Sequence, residues 1–469
     1  MIHNILAFII VLSALLFGAV EVWSAAAVMI LVFGTGLFWS VTKGNVEGDL
    51  PENTGRLLLV ALIFCGYIGL QLIPLPAAVV SFISPATART RDFYSISDMK
   101  FMPLSFDPYK TVSELLRVAA FFTVFFISSI MFRDREKLTK MLIMLSVFGF
   151  CLAVFAIVQK ATWNDKIYWI RELTVGGTPF GPFVNRNHFA GFIGMLVPLG
   201  LGFTLTRQYR EKMIFFGFLT VIMTLSLFFS LSRGGIVSFF ASMAFFSMLV
   251  VITRVQTRKI WAIACFLIIV AAYLVYLGLD PVIDRFYETD ITKEQRIIVW
   301  QSTFTAFKDF WLTGSGLGTF IDLFHLYSPV AVQSIYDHAH NDYLEYMLET
   351  GSIGIALLLT FAGLLLHSFA RADFQGKSGM IRIAVISSVC SMMMHSIFDF
   401  NLHILSNMLL FAVVLGMLSS LAIASEEKYH KRKAKGRGLK GESSKNDNTK
   451  PTAVTTDEIE DWEKELKNR

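Results

Sequence analysis

His340 and Asn341 sit in the polar stretch Asp337-His338-Ala339-His340-Asn341-Asp342-Tyr343-Leu344-Glu345, which ends just before Gly351-Ser352-Ile353-Gly354 opens an apolar run. An imidazole takes or gives a proton near neutral pH without help from a metal, so His340 is the candidate acid–base group. The amide of Asn341 can orient a hydroxyl or a phosphate oxygen. If a helix begins near Asn341, then Asn341 and Glu345 share one face and His340 stands at its start. Gly351 and Gly354 would let the incoming helix pack closely against a neighbour. His338 and His340 with Asp337 and Asp342 could in principle ligate a metal. Their alternation in a loop matches neither the usual i, i+4 histidine pair nor a closed cluster, so no metal is expected.

Arginines stand at two other boundaries between polar and apolar sequence. Arg233 lies in Ser232-Arg233-Gly234-Gly235, between two apolar runs with almost no loop. The glycines leave its guanidinium accessible and let backbone amides approach an anion, which suits phosphate; a snorkelling arginine fits the same position. Thr292-Lys293-Glu294-Gln295 has the spacing of a capping box and would start a helix carrying Arg296, Trp300 and Phe307 on one face. That helix reads equally as an interfacial amphipathic one. The nearby Gly314-Ser315-Gly316-Leu317-Gly318 lacks the preceding strand and acidic partner of a dinucleotide site, so a helix-ending turn is expected.

Two more stretches are too polar for their places. Gly181 to Gly191 delivers Asn185, Arg186, Asn187 and His188 in series as a helix begins, either as cap and interfacial side chains or as ligand contacts. His395-Ser396-Ile397-Phe398-Asp399-Phe400-Asn401-Leu402-His403 puts ionisable groups at the end of an apolar run. Such groups are costly at a membrane boundary unless paired or facing a cavity, so Asp399 is either a structural tie or a substrate contact. Glu21 and Arg117 read as helix-packing partners.

The elements that carry these residues are membrane helices. With 54% hydrophobic and only 16% charged residues, the chain falls outside the range of soluble domains. Apolar runs long enough to span a hydrocarbon core recur from end to end, predicting an all-α polytopic fold of about twelve transmembrane helices. These are placed near Asn4–Trp23, Ser24–Val41, Leu57–Leu75, Val112–Phe132, Met141–Gln159, His188–Thr206, Met213–Leu231, Gly235–Thr253, Ile260–Leu279, Gly351–Ala370, Ile383–Phe400 and Ser406–Ser425. The first is read as a membrane helix rather than a signal peptide, since it lacks a basic n-region and a small-residue cleavage site. Cys65, Cys151, Cys265 and Cys390 all fall inside apolar runs, which argues against a disulfide framework or zinc site.

The short connections Arg133–Lys140, Arg207–Lys212, Arg254–Lys259 and Arg371–Arg382 are rich in Lys and Arg and fall on one face if the helices alternate. The positive-inside rule makes that face, with both termini, cytoplasmic. The loops holding the candidate residues then lie outside the cytoplasm. A membrane domain is expected over residues 1–425, with a large outer loop over 280–350, and residues 426–469 form a disordered basic and polar tail. The net charge of +5 is small for the length and concentrated in that tail, so no nucleic-acid partner is expected.

Taken together, His340-Asn341, nine residues and then Gly351-Ser352-Ile353-Gly354 resemble the His-Asn-x9-Gly-x-x-Gly signature of the O-antigen ligase and polymerase superfamily of bacterial membrane glycosyltransferases. Ser232-Arg233-Gly234 is similar to that family's Ser-Arg-Gly element, and Arg296 with Trp300 to its Arg-x-x-x-Trp segment. Gly181–Gly191 and Asp399–His403 resemble recurrent stretches, so the resemblance covers a core of about 181–403. It implies a GT-C-like enzyme of the bacterial inner membrane, with its active face periplasmic. The implied reaction is metal- and cofactor-independent transfer of a glycan from undecaprenyl diphosphate to an acceptor hydroxyl. In that light His340 is the general base, Asn341 orients it or the acceptor, and Arg233 and Arg296 hold the diphosphate. Arg186 joins them at the diphosphate, and Asn185, His188 and Asp399 contact substrate. The acceptor is lipid A core, a second lipid-linked glycan or a protein; the ligase label is preferred, with the polymerase close behind. A transporter of lipid-linked sugars is the rival from another class, but the polar groups gather at one face rather than at the midplane.

Overall fold

The structure, a computed structural model, describes residues 2–43, 52–93, 99–173, 177–207, 209–255, 260–277, 291–329, 336–370, 374 and 376–422. The tail expected from Glu426 and the side chains of Thr292, Lys293 and Glu294 lie outside them.

The described chain is almost entirely helical. In order come α1 (Ile2–Leu15), α2 (Val22–Lys43), α3 (Glu52–Leu72), α4 (Ala77–Ile83), α5 (Pro85–Phe93), α6 (Pro108–Met131), α7 (Arg135–Ala161), α8 (Arg186–Leu205), α9 (Arg210–Phe229) and α10 (Arg233–Thr253). Then follow α11 (Ile260–Leu277), α12 (Ile291–Asp309), α13 (Phe320–Tyr327), α14 (Asp342–Ala370), α15 (Gly376–His395) and α16 (Leu405–Ala422). Ten of these are long and apolar enough to cross a membrane, and two shorter apolar helices, Ile2–Leu15 and Ile260–Tyr276, occupy the other two positions expected from hydropathy. The two strand ribbons are minimal, Leu75–Pro76 against Phe101–Met102 and Lys166–Ile167 against Arg171–Glu172, both antiparallel.

The helix starts follow the sequence's capping residues. Asp107 accepts from the amides of Tyr109 and Lys110 with Pro108 in the first turn of α6, and Asp134 accepts from Glu136 and Lys137 at α7. Asn185 and Ser232 do the same for α8 and α10. Arg186 and Arg233 are therefore the first residues of their helices, fixed at one boundary of the bundle.

At the centre stands α8, buried at every residue from His188 to Leu205, and packed by α7, α9, α10 and α15. α16 is buried along its whole length too. The outer helices turn large apolar side chains outward, among them Trp261, Ile268 and Val275 of α11 and Leu359 and Leu366 of α14. Lipid tails are the natural solvent for these faces.

A second layer caps one end of the bundle. Here α12 and α13 pack around Phe310, Phe320 and Phe324 together with Ala86 of α5. The 76–107 segment joins this layer through the Phe106 amide, which donates to the Ser315 carbonyl at 2.8 Å, and through Lys110, which pairs with Asp322. The Gly314–Gly318 turn ends α12 as expected, and it also docks on α14, where Ser315 and Gly316 amides donate to the carbonyls of Leu348 and Glu349 at 3.0 Å each. There α14 breaks at Gly351, with φ 63° and ψ −172°. The neighbour that Gly351 meets closely is this turn rather than a membrane helix. The three atoms nearest to a Cβ on Gly354 all belong to Thr350 of its own helix, the closest at 2.3 Å. Glu21 pairs with Arg171 of the 162–185 loop, and Arg117 pairs with Glu114 at 3.2 Å while donating to the His403 carbonyl at 3.3 Å.

Candidate active site

The link between α15 and α16, residues 396–404, is the floor on which the candidate residues meet. His340 Nδ1 lies 3.2 Å from Asp399 Oδ1, and the Asp399 side chain is 1% exposed against 23% for the imidazole. His340 holds a left-handed backbone, φ 50°, which is unfavourable for a residue with a Cβ and is maintained by the contacts on either side of it. Ala339 is buried, and its carbonyl accepts from Trp300 Nε1 at 3.1 Å while its amide donates to Glu345 Oε2 at 2.8 Å. The Trp of the Arg-x-x-x-Trp segment therefore holds the histidine loop. One turn away, Arg296 Nη1 donates to the Phe398 carbonyl at 3.3 Å, beside Asp399.

Arg233 arrives from another helix. The residue after it, Gly234, is pressed against His395 and Phe398; a Cβ there would lie 3.0 Å from His395 Cδ2 and 3.1 Å from Phe398 Cβ. His188, at the head of α8, is buried, and its ring meets the edge of Phe400 at 4.9 Å. Its carbonyl accepts from Asn407 Nδ2, which also donates to Asn401. Thus His340, Asp399, Arg296, His188 and the Ser-Arg-Gly turn converge on residues 395–400.

Asn341 and Asn185 do something more local. Asn341 Oδ1 accepts from the amides of Tyr343 and Leu344 at 3.0 and 3.1 Å, so its carbonyl oxygen caps α14 and only its NH2 remains to orient another group. Asn185 Oδ1 caps α8 by accepting from Asn187 at 2.8 Å, and the Arg186 amide donates to Thr178.

Behind the histidine loop lies a second cluster of ionisable groups. Asp342 accepts from His403 Nδ1 at 2.8 Å and from the Leu402 amide at 3.1 Å, and Glu345 Oε1 lies 2.6 Å from His338 Nδ1 and 3.5 Å from His403 Nε2. Asp342, Glu345 and Glu349 recur at helical spacing and all three are buried, a periodicity of acids that itself signals buried partners. The four residues weighed as a metal set in the sequence are pulled apart: His340 turns to Asp399 and Asp342 to His403. The residues whose ligand atoms do come within 4.8 Å of one another are His338, Glu345 and His403.

Electrostatics fix the charges of this floor. Burial works against the Asp399 carboxylate, yet the His340 hydrogen bond and the electrostatic influence of the His340 and His188 imidazoles and the Arg296 guanidinium hold it well below the usual carboxylate range. Burial likewise opposes charge on His403, but Glu345 and Asp342 raise it to about 10. Three buried atoms near Asp399 find no protein partner among the described residues, namely Asp399 Oδ2, His188 Nε2 and His395 Nε2. Buried polar groups are rarely left so, which makes this a place for water or a substrate oxygen.

No curated protein matches the chain. Residues 218–359 match the family described as O-antigen ligase, a stretch running from α9 through the Gly351 break and holding Arg233, Arg296, His340 and Asn341. With that match and its ten helices long and apolar enough to cross a membrane, the chain is a multi-pass membrane protein that carries an O-antigen ligase-like region.

Proposed function

We propose that this protein transfers a glycan from undecaprenyl diphosphate to an acceptor hydroxyl on the periplasmic face of the bacterial inner membrane, as an O-antigen ligase-like enzyme. The observation that carries the reading is the His340–Asp399 pair: a buried carboxylate on Nδ1 fixes the tautomer and leaves Nε2 to face the reactants. In the reaction the acceptor oxygen attacks the anomeric carbon, the bond from that carbon to the phosphate oxygen breaks, and the acceptor proton passes to His340 Nε2. The diphosphate leaves with one more negative charge than it had as an ester. Arg233, Arg296 and Arg186 receive that charge, as guanidinium groups suit phosphate oxygens. The Asn341 amide orients the acceptor, and His188 and Asp399 line the floor beneath. No step calls for a metal or cofactor.

The test is reconstitution of the purified protein with an undecaprenyl-diphosphate oligosaccharide in chelator. Lipid A core, a second lipid-linked oligosaccharide and a serine peptide are offered together, and undecaprenyl diphosphate release and glycan mass are followed. Release with a transferred or lengthened glycan supports the reading, and the product mass names the acceptor; binding without release points to a transporter. His340→Ala should abolish release while the protein still inserts, and retained turnover would remove His340 from the role of base.

A further inference from the structure

His340 is one of two partly exposed imidazoles held in the same manner; His403, held likewise by Asp342, is buried. His338 Nδ1 faces Glu345 Oε1 at 2.6 Å as His340 Nδ1 faces Asp399 Oδ1 at 3.2 Å; both carboxylate side chains are 1% exposed, and the rings are 28% and 23% exposed. Nδ1 and Nε2 lie on different edges of the ring, so each anchored histidine turns Nε2 away from its carboxylate. Neither Nε2 is hydrogen-bonded among the described residues.

Phe400 joins the two. His338 stacks on it, centroids 4.1 Å apart and planes 18° from parallel, and His340 meets it at 5.0 Å and 66°. The two ends of this arrangement differ. Arg296 and the Gly234 turn lie at the Phe398 end with His340 and Asp399, whereas His338 lies at the other end, 5.1 Å from the His403 ring. A diphosphate held at the arginines and attacked by a hydroxyl at His340 leaves the acceptor's remaining atoms to extend toward His338. Glu345 is itself fixed by the Ala339 amide at 2.8 Å, so this second imidazole is as firmly aimed as the first.

We propose that His338, aimed by Glu345, is a second acceptor-binding residue: its Nε2 hydrogen-bonds a hydroxyl of the acceptor sugar ring near the one that His340 deprotonates. The inference rests on the transferase reading. A polyol fills both imidazoles, whereas an isolated serine or threonine hydroxyl fills only one.

The experiment uses the full-length protein in lipid nanodiscs, the undecaprenyl-diphosphate oligosaccharide as donor, and whichever of lipid A core, second lipid-linked oligosaccharide or serine peptide the wild type accepts. His338→Ala should raise the acceptor KM roughly tenfold or more, as expected for losing one hydrogen bond to a site built for it. The donor KM should stay put and kcat should fall less than kcat/KM for acceptor. His338→Gln, which keeps a hydrogen-bonding tip, should recover most of the loss. Should His338→Ala fail to fold, the glutamine variant and an acceptor lacking the neighbouring hydroxyl serve instead, the two losses being non-additive if they report one contact. A fall in kcat with the acceptor KM unmoved would overturn the proposal. So would use of the serine peptide as acceptor, or stoichiometric zinc in the purified protein that Glu345→Gln removes, since Nδ1 would then be a metal ligand beside His403. Loss of the transferase reading shows separately, as turnover that survives His340→Ala.

Discussion

Gly314 and Gly351 touch backbone to backbone. A Cβ on Gly314 would stand 2.2 Å from the Glu349 carbonyl oxygen and 2.6 Å from the Gly351 nitrogen, and one on Gly351 would stand 2.4 Å from the Gly314 nitrogen. Both residues have positive φ, 71° and 63°. Gly351 of the signature thus ends the outer part of α14, at the point where the α12 turn is received. Gly314→Ala combines a backbone clash with left-handed strain and should cost about 1–3 kcal/mol or more. Thermal unfolding in detergent or nanodiscs would register this as a lowered Tm, and a Tm equal to the wild type's would show that the turn can back away from α14.

In the proposed mechanism Asp399 acts through His340. Asp399→Asn keeps the shape but removes the charge that fixes the imidazole, so turnover should fall roughly 10²-fold. Combined with His340→Ala it should add no further loss, because the two residues work as one unit. Single-turnover release of undecaprenyl diphosphate would check both statements; additive losses would show that Asp399 has a separate task.

Trp300 holds Ala339 by a single hydrogen bond at 3.1 Å. Trp300→Phe leaves the ring and removes the donor, for a stability change of about 1 kcal/mol. The larger effect is expected in kcat, since the residue after Ala339 is the proposed base and small displacements there are expensive. Steady-state kinetics with saturating donor and acceptor would separate this from a loss of binding.

The alkaline limb of stability should report His403. Its folded pKa is raised, to about 10, above an ordinary value of about 6.5, so the stabilisation is complete below pH 6.5 and is lost as pH rises toward 10. Asp399 runs the other way. Its pKa is depressed, so its contribution is present above the ordinary carboxylate range and is lost as pH falls below it. Tm measured across pH should therefore decline on both sides of neutrality, and His403→Gln should flatten the decline between pH 6.5 and 10. A variant that declines as the wild type does would place the alkaline loss elsewhere.

Much of this was legible from residue order. Hydropathy located the spans, and Asn185 was readable as the cap of α8, because cap chemistry is local. The convergence of His340, Arg296 and Asp399 on one floor could only be expected, since residues 59 apart, as His340 and Asp399 are, meet through tertiary packing. The pairing His403–Asp342, 61 residues apart, went unread for the same reason, whereas His338–Glu345, seven apart, depends on how the loop folds back over the first turn of α14. Asn341 shows the opposite failure: a residue that looks like a ligand group spends its carbonyl oxygen on the helix it begins.

α8 has no face left for lipid, yet it is apolar all round, with Pro198 and four glycines along its length. A helix enters the bilayer before its neighbours have closed around it, so its whole circumference must dissolve in hydrocarbon during biogenesis. Afterwards the same circumference must fit side chains on every side. A polar substitution on α8 therefore meets two successive barriers, one at insertion and one at assembly, whereas the same change on the lipid side of α11 meets the first alone.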